Sequence, residues 1–313
     1  MAMRGRNQIL GLVALLSLGA CTGKKLPPLD AIVLQPTPTP LPQILLARNG
    51  PNDVFSQVYG INSNGTGLAE LSTGDWLLYR WPAWMPQKAG FVYSALLGGV
   101  VSGNSILGGA YDIFIQSDLE SVVNLTNHPA DDTYPSPSPD GTRIAFTSNR
   151  SGQDELFLLD LFDGGRLAQL TSLGGLAPTW SSDNSQICFS RYSANAYLGV
   201  FQSLYVLTVG SGLETLIANV GEDPAWSPAG NTIAYSMNGN IWTINSDGTN
   251  AIQVTASGQN SRQPTWSPDG TKIIFQSSQS GDWDLYQIKP DGTNLSSISI
   301  SPGSEEQEAS WQY

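Results

Sequence analysis

The chain has 313 residues, only 13% of them charged, with 33 glycines, 20 prolines and a formal charge of −12. So acidic a protein repels phosphate backbones and anionic membrane surfaces, which argues against a nucleic-acid partner and favours solubility or a cationic one. A single histidine and two cysteines leave no material for a serine-type triad, a His-rich metal site or a disulfide framework.

Residues 1–20 begin with Arg4 and Arg6, continue through an apolar core from Ile9 to Ala20, and end in small residues just before Cys21. The core is too short to span a bilayer as a mature helix and is expected to act as an export signal peptide. Its removal takes away two arginines and no acid, leaving a charge of about −14. Leu18-Gly19-Ala20-Cys21 resembles the bacterial lipobox, which implies that Cys21 is lipidated and anchors the protein in a membrane. Thr22, next in line, is not the Asp that retains many lipoproteins in an inner membrane. The expected location is lipid-anchored in the cell membrane or outer membrane, on a periplasmic or extracellular face. Residues 21–43 are Pro-rich, with Pro36, Pro38, Pro40 and Pro42 in alternation. Such a segment extends by about 3.1 Å per residue and should serve as a tether reaching up to roughly 60 Å.

From residue 44 onward the chain is a repeat. Its clearest copy runs from Arg262 to Phe275, where Ser267-Pro268-Asp269-Gly270 supplies a hairpin turn between a strand ending in Trp266 and the apolar strand Ile273-Ile274-Phe275. Positions equivalent to Trp266 are Trp84, Pro137, Trp180, Trp226 and Trp311, with successive gaps of 53, 43, 46, 40 and 45 residues. That period suits a four-stranded propeller blade. The third strand is typified by residues 284–288 and the fourth by residues 253–255, while Asp247-Gly248 and Asp291-Gly292 mark the second hairpins. Almost nothing follows Trp311, whereas residues 44–47 and 58–61 read as second and third strands with no Trp strand before them. The C-terminal strand is therefore expected to pair into the N-terminal blade and close an all-β ring of six. Cys188 falls where sister repeats carry Ala145 and Ala234 and should be a small buried apolar residue.

These repeats resemble the WD40-like, or PD40, repeat of the TolB β-propeller family, whose consensus is similar to Pro-x-Trp-Ser-Pro-Asp-Gly-x-x-Ile-Ala-Phe. The copies at Trp84 and Trp180 lack the glycine. The family's namesake also carries an N-terminal α/β domain that engages other envelope proteins. No room for one is expected here, so the namesake's specific partners do not carry over.

In an up-and-down blade the Ser-Pro-Asp-Gly and Asp-Gly-Thr turns share one rim and read as structural. The opposite rim receives two insertions, Leu96 to Ala110 and Ser193 to Gln202. It also receives acids near the innermost strands: Asp131, Asp132, Glu222, Asp223, Glu305, Glu306 and Glu308, together with Arg262. That rim is the expected interaction face, for an envelope protein or basic peptide. No cofactor is indicated. Carboxylates alone could hold a divalent cation in the channel, but no Asp-x-Asp-x-Asp-Gly loop is present. The in-register tryptophans should pack between blades, whereas Trp76 and Trp81 lie outside the register and are freer to meet a ligand.

No Gly-x-Ser-x-Gly, His-Glu-x-x-His, Cys-x-x-Cys or Walker-type sequence occurs. His128 reads as loop decoration. The function expected is a monomeric, non-catalytic envelope lipoprotein that presents a propeller as a protein- or peptide-binding platform. The alternative is carbohydrate binding, or glycoside hydrolysis by two channel carboxylates.

Overall fold

The structure, a computed structural model, describes residues 42–49, 55–72, 78–86, 90–102, 105–117, 121–195, 199–299 and 304–311. The export signal, Cys21, nearly all of the tether and Trp76 lie outside the described residues.

The chain forms six four-stranded antiparallel blades, each running outward from a central channel. The innermost strands are Glu305–Trp311 (blade 1), Tyr79–Trp84 (blade 2), Asp132–Pro137 (blade 3), Leu176–Trp180 (blade 4), Glu222–Trp226 (blade 5) and Ser261–Trp266 (blade 6). Each ends on the residue that the sequence aligned with Trp266. Blade 1 is assembled from both ends of the chain. Glu305–Trp311 pairs antiparallel with Ile44–Asn49, with Ile44 opposite Trp311 and Asn49 opposite Glu305. Ring closure by the C-terminal strand is thus observed.

The tryptophans do the packing expected of them. Trp84, Trp180, Trp226, Trp266 and Trp311 each sit in a cluster that joins two neighbouring blades; Trp266, for example, packs with Ala234 and Ile241 of the preceding blade. The Trp180 and Trp266 indoles also donate to the preceding innermost strand, at Ser136 O and Ala225 O, both at 3.0 Å. Blade 3 has Pro137 at this position, and Met85, Phe146 and Phe157 fill the boundary instead. Cys188 is buried between blades 4 and 5, and burial pushes its thiol well above the usual range, so it behaves as a small apolar group.

Two repeated polar devices fix the blades. In the first turn, Ser267 Oγ donates to Asp269 Oδ1 at 2.6 Å, and Thr271 N donates to the same oxygen at 3.0 Å. These bonds hold the Asp269 carboxyl down to about 2, Ser267 contributing most. Just after the fourth strand, the hydroxyl of a Leu-Thr or Val-Thr pair accepts a third-strand N–H: Thr171 from Leu156 at 2.8 Å and Thr255 from Ile241 at 2.9 Å. Gly270 shows why the turn needs glycine. Its φ is +67°, and a Cβ there would stand 2.5 Å from the Ala229 Cβ of the neighbouring blade.

The two insertions are extended hairpins. Val100–Ser102 pairs with Ser105–Leu107 beyond blade 2, and in blade 4 Gln186–Asn195 pairs with Gly199–Thr208 out to Asn195 opposite Gly199.

Candidate functional site: a ring of bulges in the channel

Every innermost strand breaks its ladder at the same place. The register skips between Arg80 and Ala83, Thr133 and Ser136, Leu176 and Thr179, Glu222 and Ala225, and Arg262 and Thr265; in blade 1 the skip spans Glu308 and Ala309. The bulged residue in each case has a left-handed backbone: Trp81, Tyr134, Ala177, Asp223, Gln263 and Glu308, with φ between +49° and +57°. None is glycine, and six strained residues in one ring mark a place where side chains are being re-aimed. Three of their N–H groups are tied to the preceding blade: Gln263 donates to Ser236 Oγ at 2.9 Å, Ala177 to Thr147 Oγ1 at 3.2 Å and Trp81 to Glu308 Oε2 at 2.7 Å.

A proline follows the bulged residue in five blades, at Pro82, Pro135, Pro178, Pro224 and Pro264; Ala309 stands in the sixth. The bulge leaves this residue without a ladder partner. Proline has no N–H to orphan there, so the wall it forms is apolar.

The ring and these prolines enclose a channel cavity of about 280 Å³. The six bulged residues form one end. The other reaches Pro86, Pro139, Ser182 and Pro228 in the first-to-second-strand turns. The cavity therefore belongs to the Ser-Pro-Asp-Gly side of the channel, the rim that the sequence reading treated as structural. Repetition of the turns concealed the fact that their prolines line a shared space.

The ring is strongly uneven. On one side the Trp81 and Tyr134 rings lie 4.2 Å apart at 33°, with Tyr111 edge-on to Trp81 at 5.8 Å. Arg80 covers Trp81 at 5.0 Å and donates through Nε to Glu308 Oε1 at 2.7 Å, with a second, shorter contact from Nη2. Glu308 is thereby occupied at both oxygens, one by Arg80 and the other by the Trp81 N–H. Asp223 is different. Among the described residues it has no ion-pair partner, because Arg262 lies 3.7 Å from the centroid of the Trp283 ring and donates to Gln276 Oε1 at 3.1 Å. Asp223 is half-buried and lines the cavity. Burial, reinforced by the charges of Glu222 and Glu308 and opposed by Arg262, pushes its carboxyl up to about 7. Burial likewise raises the Tyr134 phenol, with Asp223 and Glu308 adding to the effect.

Of the eight residues singled out from the sequence, the fold brings only Asp223 and Glu308 into the cavity. Asp132 is buried in a 2.7 Å ion pair with Arg150, and burial raises its carboxyl despite hydrogen bonds from Ser148 and Arg150. Glu306 is buried beside Arg48 at 3.6 Å. Asp131 accepts the Tyr111 N–H at 3.0 Å, while Glu222 and Glu305 are exposed. These acids stand at or beside the starts of the innermost strands, and Asp131, Asp132 and Glu306 are engaged in positioning neighbouring segments. His128 also serves its own loop, its Nδ1 accepting the Ala130 N–H at 3.1 Å. Among the described residues no three His, Cys, Asp or Glu side chains are grouped to hold a metal ion.

Six blades, a C-terminal closing strand and an uneven channel cavity define a closed β-propeller whose natural site is its axis. Residues 167–313 match the family described as the TolB beta propeller domain, so the second half of the chain is similar to TolB-like PD40 propellers. The Protein TolB homolog of Chlorobium luteolum is 31% identical over 153 residues, 47% of this chain and 34% of its own length. That of Chlorobium chlorochromatii is 36% identical over 146 residues, 44% of this chain and 32% of its own. The chain thus spans about a third of the length of these curated relatives. Among solved structures, TolB from Acinetobacter baumannii superposes with a TM-score of 0.69 at 18% identity, covering 90% of this chain and 69% of that one, a likeness of fold.

Proposed function

We propose that this propeller is a non-catalytic binding module that takes a segment of another envelope protein into its channel, held at the cell surface or in the periplasm by a lipid on Cys21. The observation that carries this reading is the uneven ring. Structural residues in a propeller repeat from blade to blade, as the prolines and tryptophans do here, whereas Trp81, Tyr134, Ala177, Asp223, Gln263 and Glu308 share a backbone conformation but put aromatic, small, acidic and amide side chains at different points of the ring. Sites with aromatic walls and a few placed polar groups are suited to recognition. The state of Glu308 supports binding over hydrolysis. A carboxylate-pair glycosidase needs two free carboxyls, and here one of the two has both oxygens engaged.

The test is capture from detergent-solubilised membranes of the source organism by the tethered propeller, compared with a Trp81→Ala, Tyr134→Ala double variant of unchanged fold. A partner recovered by the parent and lost by the variant supports the reading. Equal recovery by both refutes a channel site. Radiolabelled palmitate incorporated by the parent and not by Cys21→Ser is the expected result for the anchor, and labelling of both would refute it.

A further inference from the structure

We infer that the ligand group seated in this cavity is the basic side chain of a peptide, its apolar stem between the prolines and tryptophans and its cation against Asp223. This deepens the binding role proposed above and rests on it.

The argument is one of unmatched groups. Glu308 has both oxygens engaged, and Arg80 is held by Glu308 and by the Trp81 face. Arg262 is held by Trp283 and Gln276. Among the described residues, Asp223 alone of the charged groups of the ring is left without an ion-pair partner, in a cavity with walls of proline and tryptophan. A carboxyl in such a place has two ways to be stabilised: it takes up a proton, or it receives a cation from the channel. Burial and the nearby Glu222 and Glu308 charges favour the proton when the cavity is empty, with Arg262 and a hydrogen bond from the Gln263 backbone opposing them. A cation entering would displace that proton. Beside Asp223 stands Gln263, and the paired Trp81 and Tyr134 rings also line the cavity, aromatic surfaces over which an ammonium or guanidinium is attracted. The volume, about 280 Å³, admits one long side chain with its backbone outside and no folded element. The net charge of −12 attracts a basic partner over a distance, strengthening the same preference.

The experiment titrates the propeller with N-acetyl-lysine methylamide, with its norleucine counterpart, which has the stem and no ammonium, and with n-butylammonium, followed by ligand-observed NMR. The lysine probe should bind at pH 8 and the norleucine probe at least tenfold more weakly. A site that requires ionised Asp223 with a carboxyl near 7 loses about 30-fold in affinity between pH 8 and pH 5.5, while the lysine stays charged throughout. Asp223→Asn should abolish the preference for lysine over norleucine and keep a cooperative melt. Equal binding of the two amides, a pH-independent lysine affinity, or an Asp223→Asn protein that still prefers lysine would overturn the inference. So would n-butylammonium binding as tightly as the lysine probe, which would make the ligand a free amine. Loss of captured partner in the Trp81→Ala, Tyr134→Ala variant together with no lysine preference would leave the binding role standing and remove this inference alone.

Discussion

Deleting residues 310–313 tests the closure on which the channel depends. The deletion removes the pairs Ile44 with Trp311 and Leu45 with Ser310. It also removes a Trp311 side chain only 7% exposed, packed among Ile44, Leu46 and Ile61 of blade 1 and Ile274, Leu285 and Ile298 of blade 6. Loss of a buried tryptophan costs about 3–5 kcal/mol, a large share of the roughly 5–15 kcal/mol of an ordinary domain. For a domain of this size the melting midpoint should fall by roughly 6–20 °C. Calorimetry provides a second signature. The truncated protein leaves Ile44 and Leu45 at an open edge while Ala47 to Asn49 stay paired, so its transition should broaden as well as shift. Trp226→Ala, the same loss at an internal blade boundary, should lower the midpoint and keep the transition sharp. A truncated protein that melts at the parent's temperature with the parent's sharpness would refute ring closure as a source of stability.

Three further outcomes are expected. The Asp223 carboxyl stands at about 7 in the fold, against about 3.9 in an unfolded chain. Between those values the folded state holds a proton that the unfolded state has shed, so stability falls as pH rises from about 4 to about 7. Asp223→Asn should flatten that slope and be the more stable protein above pH 7, by roughly 2–4 kcal/mol in urea unfolding; parallel pH profiles would contradict the assignment. Arg80→Ala leaves Glu308 with only the Trp81 N–H and should cost about 2 kcal/mol, less than for a fully buried pair because Arg80 is partly exposed. Its restoration by Glu308→Gln in the double variant, measured as a coupling energy, checks that the loss is electrostatic. Gly270→Ala, at a left-handed φ and against the Ala229 methyl, should cost about 1–3 kcal/mol, while an unchanged denaturation midpoint would show that the turn relaxes freely.

The architecture was legible because its determinants are local and repeated. Trp266 and its equivalents gave the period, Ser-Pro-Asp-Gly gave the turns, and the absence of a Trp strand before Ile44 pointed to the closing strand. The site was less legible because its determinant is an irregularity of pairing. A bulge shifts the ladder without leaving a distinctive residue, so Asp223 and Glu308 looked equivalent to Asp132 and Glu306, which the fold buries in ion pairs. A usable signal was nevertheless present. Trp81-Pro82-Ala83-Trp84, Ala177-Pro178-Thr179-Trp180, Asp223-Pro224-Ala225-Trp226 and Gln263-Pro264-Thr265-Trp266 keep proline and tryptophan constant and vary the residue before the proline. A variable position framed by invariant ones within a repeat marks the ring. Trp81, outside the tryptophan register and for that reason expected to be freer to meet a ligand, belongs to it.

The left-handed kink shared by the six inner strands also bears on how such a scaffold diversifies. Backbone hydrogen bonding there is satisfied by hydroxyls and a carboxylate of the adjoining blade, and the ladder resumes two residues later whether the kinked residue is Ala177 or Trp81. Packing therefore places little demand on residues such as Ala177, whereas Glu308 ties Arg80 and the Trp81 N–H and is part of the frame. A gene encoding this torus could exchange the unbonded letters and obtain a differently selective orifice with the same frame around it.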